Sequence, residues 1–158
     1  MSMTKDFKEF LELLNYHKVK YVIVGAHAVT AHSRPRSTGD LDVLIEASEE
    51  NAKNIVAALI DFGFGSLELK AEDFCKTGFV IQLGYEPNRI DILTSVTGVD
   101  WEEIWENKIS NVFGSSDIPV FFIGKEQLIK NKIATGRELD IKDAERLMKF
   151  KPKGGGIT

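Results

Sequence analysis

The sequence predicts an α+β protein with a mixed β-sheet packed by helices. Three observations carry the prediction: a strand–helix–strand opening over residues 20–46, an antiparallel strand pair over 79–94, and two closing helices from residue 124 onward. One face of that sheet is expected to be packed by helices, and the other to hold carboxylates. The chain has 158 residues, 43% of them hydrophobic, enough to bury a proper core in one domain. Residues 1–150 are assigned to that domain, and 151–158 to a flexible tail.

Each element has its own warrant. Phe7, Phe10, Leu11, Leu13 and Leu14 recur at helical spacing, which predicts an amphipathic helix over 4–18 with Thr4 as its N-cap. The apolar run Tyr21-Val22-Ile23-Val24 predicts a short buried strand over 20–25, and Gly25 ends it with a tight turn. His27 to His32 has helix-compatible composition, and Ser33 to Gly39 reads as a basic, turn-rich loop. A second strand follows over 40–46.

Ser48 then opens a second strong helix, with Asn51 where a capping box would carry Glu or Gln. Ile55, Val56, Leu59, Ile60 and Phe62 give it an apolar face, and Gly63 ends it. A short strand is expected near Leu67 to Leu69. Phe79 to Tyr85 and Arg89 to Thr94 read as two strands joined by a turn at Glu86-Pro87-Asn88. Residues 100–108 predict a short helix, and Ile118 to Ile123 a strand, with Pro119 at its end or at a sheet edge. The closing helices, 124–135 and 139–150, carry Leu128, Ile129 and Ile133, then Ile141, Ala144, Leu147 and Met148. The tail Lys151-Pro152-Lys153-Gly154-Gly155-Gly156 has nothing to pack.

The net charge of −4 is poorly suited to extended nonspecific binding of nucleic acid, which depends on neutralised phosphates. A local basic patch at Arg34 and Arg36 can still hold one nucleotide. Cys75 is the single cysteine, so no internal disulfide forms and a reducing compartment is the simplest expectation. The N-terminus has no apolar signal core, and no apolar run approaches the roughly 20 residues that span a bilayer. A cytoplasmic protein with no membrane partner is therefore expected.

The chemistry is concentrated between Gly25 and Asp42. Residues i and i+2 of a strand share a face, about 6.6 Å apart along it, so Asp40 and Asp42 project to one side while Leu41 and Val43 project to the other. Two carboxylates at that spacing can share a pair of divalent cations. The preceding glycine turn and helix N-terminus can receive a phosphate. A third carboxylate, Asp91, lies in the apolar strand Ile90-Asp91-Ile92-Leu93 and joins the site if it shares the face of Asp40 and Asp42. Together these features outline a phosphoryl-transfer site.

The order of a strand, Gly25-Ala26 and a helix, then Arg36-Ser37-Thr38-Gly39-Asp40-Leu41-Asp42, then a later strand carrying Asp91, resembles the DNA polymerase β-like nucleotidyltransferase superfamily. The likeness is to its small bacterial members, the minimal and abortive-infection-type domains, and covers about residues 20–95. A weaker likeness extends over 124–150, through Lys132, Arg137, Asp140 and Asp143. The resemblance implies a nucleotidyltransferase-like sheet and transfer of a nucleoside monophosphate from a nucleoside triphosphate to an acceptor hydroxyl. It implies that Asp40, Asp42 and Asp91 are catalytic and bind two Mg²⁺ ions, for which Mn²⁺ can substitute. It also implies a triphosphate contact at Gly25. The nucleotide-binding candidates are Gly25, Ala26, Arg34, Arg36, Thr38 and Lys132, with the two arginines placed to stabilise the leaving pyrophosphate. The acceptor is a small molecule, a protein side chain or an RNA end.

Two departures stand out. Superfamily members carry Gly-Gly or Gly-Ser where this chain has Gly25-Ala26, so a hydroxyl contact to phosphate is missing and backbone amides must serve. Leu139 stands where a lysine is expected. They favour the alternative, a catalytically inactive nucleotidyltransferase-like binding protein, one half of a toxin–antitoxin or defence pair with a small helical partner protein. The intact Asp40, Asp42 and Asp91 favour the enzyme.

The remaining polar features read as structural. His27 and His32 are five residues apart, share no helical face and have no Cys or His partner at metal spacing. Lys132 and Arg137 fit exposed helix cations better than phosphate ligands. Trp101 and Trp105, four apart on one helical face, fit packing or a partner contact.

Overall fold

A four-residue run with every side chain buried belongs in the middle of a sheet, and β1 (Tyr21–Val24) is such a run. In the computed structural model, which describes residues 5–33 and 39–150, β1 lies between β2 (Leu41–Ile45) and β6 (Pro119–Phe122). Outside them lie β4 (Ile90–Leu93), β3 (Val80–Leu83) and β5 (Ile109–Val112), in the order β3-β4-β2-β1-β6-β5. The sheet is mixed: β1–β2, β3–β4 and β5–β6 pair antiparallel, whereas β2–β4 and β1–β6 pair parallel.

Six α-helices accompany the sheet among the described residues. They are α1 (Lys5–Tyr16), α2 (Gly25–His32), α3 (Glu49–Leu59), α4 (Trp101–Glu106), α5 (Lys125–Thr135) and α6 (Glu138–Lys149). Ile23, Leu41, Val43, Ile45 and Ile92 point to one face of the sheet, all fully buried. They share a core with Phe10, Leu11 and Leu14 of α1 and Ala52, Ile55, Ala58 and Leu59 of α3. Burying a side chain of that size stabilises the fold by about 1.5–3 kcal/mol. Among the described residues, no helix is long and apolar enough to cross a membrane.

Helix termini follow the local chemistry. The Ser48 hydroxyl accepts from the Asn51 amide at the start of α3, and Asp100 does the same for Glu103 at the start of α4. Asn51 does not reach back as a capping box would. Its buried amide side chain accepts from Lys20 N (2.7 Å) and donates to the carbonyls of Lys20 and Glu46 (3.0 Å each), tying α3 to the strand ends. After α3 the chain turns at Gly63, whose φ of 104° is open to glycine at little cost.

Two expectations fail. Residues 67–69 form no strand; a 3₁₀ turn at Gly65–Leu67 leads to Glu68 in the left-handed region (φ 52°), which breaks any ladder. Conversely, Ile109-Ser110-Asn111-Val112 is a strand, paired with Val120 and its neighbours at the sheet edge. Pro119 is indeed at a strand end, opposite Val112. The tail, Arg34, Arg36 and Thr38 lie outside the described residues.

Candidate active site

The register brings three chain segments to one end of the sheet. Asp42 pairs with Val24 across the antiparallel β1–β2 ladder and with Asp91 across the parallel β2–β4 ladder. Paired residues share a face, so the Asp42 and Asp91 side chains stand side by side where β1 ends and β2 and β4 begin. Asp42 hydrogen-bonds to Asp91. Asp91 is 8% exposed, so the aspartate between two isoleucines faces this polar cluster and not solvent.

Gly25 follows β1 directly and opens α2 with φ +69°. A Cβ there would run into the Asp42 carboxylate, so the position needs glycine for space as well as for backbone conformation. Burial, then the charges of Asp91 and Asp40 and the hydrogen bond to Asp91, push the Asp42 carboxyl up to about 7, against a smaller opposing pull from Lys132. The buried Asp42 carboxyl is thus held back from ionising, and a cation beside it would favour the ionised form.

Asp40 is drawn to a residue that sequence reasoning passed over. Its Oδ1 accepts from the Arg89 backbone amide (2.9 Å), and its Oδ2 lies 3.4 Å from the Arg89 guanidinium. The same guanidinium donates to both oxygens of Asp91, at 2.7 and 3.0 Å. Arg89 was visible in principle, because it immediately precedes β4, continues its pairing through a bond from Leu41 N, and stands two residues before Asp91.

The cleft beside Asp42 measures about 390 Å³ and is lined by Gly25, Ala26, Asp42, Ser95, Lys132 and Arg137, among others. Lys132 is a correction: it is buried and not an exposed helix cation. Asp140 and Asp143 of α6 hold its ammonium, each at 3.4 Å. Asp140 also accepts from Arg137 (2.7 Å) and Thr135 (2.8 Å). Burial alone would raise the Asp140 carboxyl, but these bonds and the Lys132 charge bring it down to about 2. Leu139, where a lysine was expected, is 60% exposed on α6.

The histidines are structural. His27 donates to the Gly39 carbonyl (3.2 Å) and His32 to the Ile123 carbonyl (2.7 Å), and burial lowers the pKa of both. The tryptophans pack: their rings stack at 5.3 Å, and Trp105 meets Phe121 edge-on at 5.6 Å.

The donors of the cluster fit a hard divalent cation, being carboxylate oxygens gathered at one end of the sheet. They do not form a ready cage: among the described residues, no three carboxylate, imidazole or thiol side chains are grouped to hold a metal.

The family described as "Nucleotidyltransferase of unknown function (DUF6036)" matches residues 2–148. The fold is similar to that of the lincosamide antibiotic adenylyltransferase LnuA in its lincomycin-bound crystal structure, with a TM-score of 0.54 and 14% identity over 94% of this chain and 98% of that one. It is also similar to TM1012, a candidate nucleotidyltransferase of Thermotoga maritima, with a TM-score of 0.55 and 14% identity over 90% and 88% of the two chains. Likeness at that identity shows a shared fold. No curated protein matches the sequence significantly.

Proposed function

The chain belongs to the DUF6036 family of nucleotidyltransferases of unknown function, and from that premise we propose that it moves a nucleoside monophosphate from a nucleoside triphosphate to an acceptor hydroxyl, with a divalent cation. One observation carries the reading: Asp42 and Asp91 stand side by side across β2–β4, against the Gly25 turn that opens α2.

Asp40, Asp42 and Asp91 are the residues that would hold the cation, Mg²⁺ or Mn²⁺. Bound there, it would neutralise charge on the triphosphate and on the attacking oxygen. The chain's own groups supply the rest. Gly25 and Ala26 open α2 with backbone amides that would receive phosphate oxygens once a cation offsets the adjoining Asp42 carboxylate. Lys132 lines the same cleft and is fixed in direction by Asp140 and Asp143, so it offers a positioned cation to the phosphates. Arg34 and Arg36, which precede β2 in the sequence, are assigned to the leaving pyrophosphate, and Thr38 to the nucleotide. The acceptor oxygen attacks the α-phosphorus, the bond to the bridging oxygen breaks, and the hydroxyl proton passes to a carboxylate of the cluster.

A second hollow of about 570 Å³ adjoins the nucleotide cleft, sharing Ser95 and Val96 and reaching Trp101. We assign it to the acceptor. The likeness to LnuA places small hydroxylated molecules such as lincosamides on the panel of acceptors to test, beside protein side chains and RNA ends.

The test is incubation with each labelled nucleoside triphosphate, Mg²⁺ and that panel. Transfer is expected with at least one pair, and Asp42→Asn is expected to lower turnover by a factor of at least about 100, as loss of a metal-holding carboxylate does. Unchanged turnover in that variant would sink the assignment.

A further inference from the structure

Arg89 is the one described cation whose guanidinium touches two of the three carboxylates, and the reaction as proposed leaves it without a part. Its contacts are a fork on Asp91 (Nε to Oδ1, 2.7 Å; Nη2 to Oδ2, 3.0 Å), an approach to Asp40 Oδ2 (3.4 Å) and a bond from Nη1 to Glu86 Oε1 (3.2 Å). Its main chain is fixed as well. The backbone amide donates to Asp40 Oδ1 (2.9 Å), and the carbonyl accepts from Leu41 N (2.9 Å), extending the β2–β4 ladder. Both oxygens of Asp91 and both of Asp40 are therefore engaged by one residue. Asp42 alone of the three lines the open cleft with Gly25 and Lys132.

We propose that Arg89 is the resident cation of this cluster, standing where a second divalent ion would bind, so that the protein takes up one divalent ion with its nucleotide and not two. The inference rests on the nucleotidyltransferase reading and deepens it. Charge supports it: three carboxylates are balanced by one guanidinium and one divalent ion, while Lys132 is already balanced by Asp140 and Asp143. Geometry supports it too. Mg²⁺ needs carboxylate oxygens in near-octahedral directions. Those of Asp91 are committed to a bidentate, charge-assisted fork, among the stronger hydrogen-bonded pairs available to a protein. A second ion would have to sit against that guanidinium, whose backbone is tied into the sheet, and share with it the remaining lone pairs of Asp91 and Asp40.

The experiment counts ions. Mn²⁺ is titrated into the full chain in the presence of an excess of a non-hydrolysable nucleoside triphosphate analogue, and the free ion is read by electron paramagnetic resonance, corrected for Mn²⁺ held by the unbound analogue. The wild type is expected to bind one Mn²⁺ per chain, and Arg89→Met two, the second at least about ten times more tightly than any second ion in the wild type. Two ions of comparable affinity in the wild type, or one in a folded Arg89→Met, would overturn the proposal and leave the nucleotidyltransferase reading standing. No bound ion in the wild type would remove both. The wild-type count decides even where the variant does not fold.

Discussion

At the scale of single residues, Asp42 links stability to the site. Its folded-state carboxyl lies at about 7, above the ordinary carboxylate value of 3.8, so the folded protein holds this proton more tightly than the unfolded chain does. The sign follows. Its contribution is most favourable below about pH 4 and is lost as pH rises from there through 7. Asp42→Asn should therefore stabilise the metal-free protein at pH 8, by on the order of 1–3 kcal/mol after allowance for solvent screening, and make little difference at pH 4. Thermal melts of both proteins across that range check this, and equal melting temperatures at pH 8 would show that the carboxylates do not strain the fold. Asp140 has the opposite sign. Brought down to about 2, it stabilises the fold above pH 4, and that contribution fades as pH falls from 4 through 2.

At the scale of elements, two side chains tie pieces together. Asn51 satisfies three backbone groups at the ends of β1 and β2 from its place in α3. Asn51→Ala leaves them without that partner and should cost about 2–3 kcal/mol in urea denaturation at 25 °C, with the slope unchanged. A loss under 0.5 kcal/mol would mean that water replaces the amide freely. Lys132 couples α5 to α6 through Asp140 and Asp143. Lys132→Met removes the cation from a buried pair, and a loss of roughly 3 kcal/mol is expected. Lys132→Arg tests the cleft separately from the fold: nucleotide affinity should fall more than stability does, because the longer fork cannot sit in the same frame.

At the scale of the whole molecule, the cleft proposed for the nucleotide lies between the sheet end and the α5–α6 pair, with the second hollow beyond Ser95 and Val96. Clustered carboxylates repel a triphosphate, and Mg²⁺ prefers to keep waters and to take phosphate oxygens as ligands. Isothermal titration should show weak binding of Mg²⁺ alone, weak binding of nucleotide alone, and binding at least about tenfold tighter when both are present. Nucleotide affinity that ignores Mg²⁺ and survives Asp40→Asn would mean that the aspartates hold no cation.

The positions of the elements were legible because their causes are local. Ser48 and Asp100 cap the helices that follow them, and apolar patterning marks α1, α3 and β1, whereas α3 ends at Leu59, ahead of the Gly63 kink. Asp40 lies just outside β2, which begins at Leu41, so the two-residue repeat expected over 40–46 applies from Leu41 onward. Other features depended on partners far along the chain. Strand β5 has half-exposed edge residues and becomes a strand only against β6, whereas residues 67–69 look strand-like and find no ladder. Lys132 reads as a surface cation until α6 brings Asp140 and Asp143 over it. The contact between Asp42 and Asp91, and Arg89's hold on Asp40 and Asp91, are consequences of the β2–β4 register. Caps and periodicity are energetics between neighbours, readable one helical turn or one pleat at a time. Register and charge pairing are set by which buried faces the whole chain can close together, and that is decided only in three dimensions.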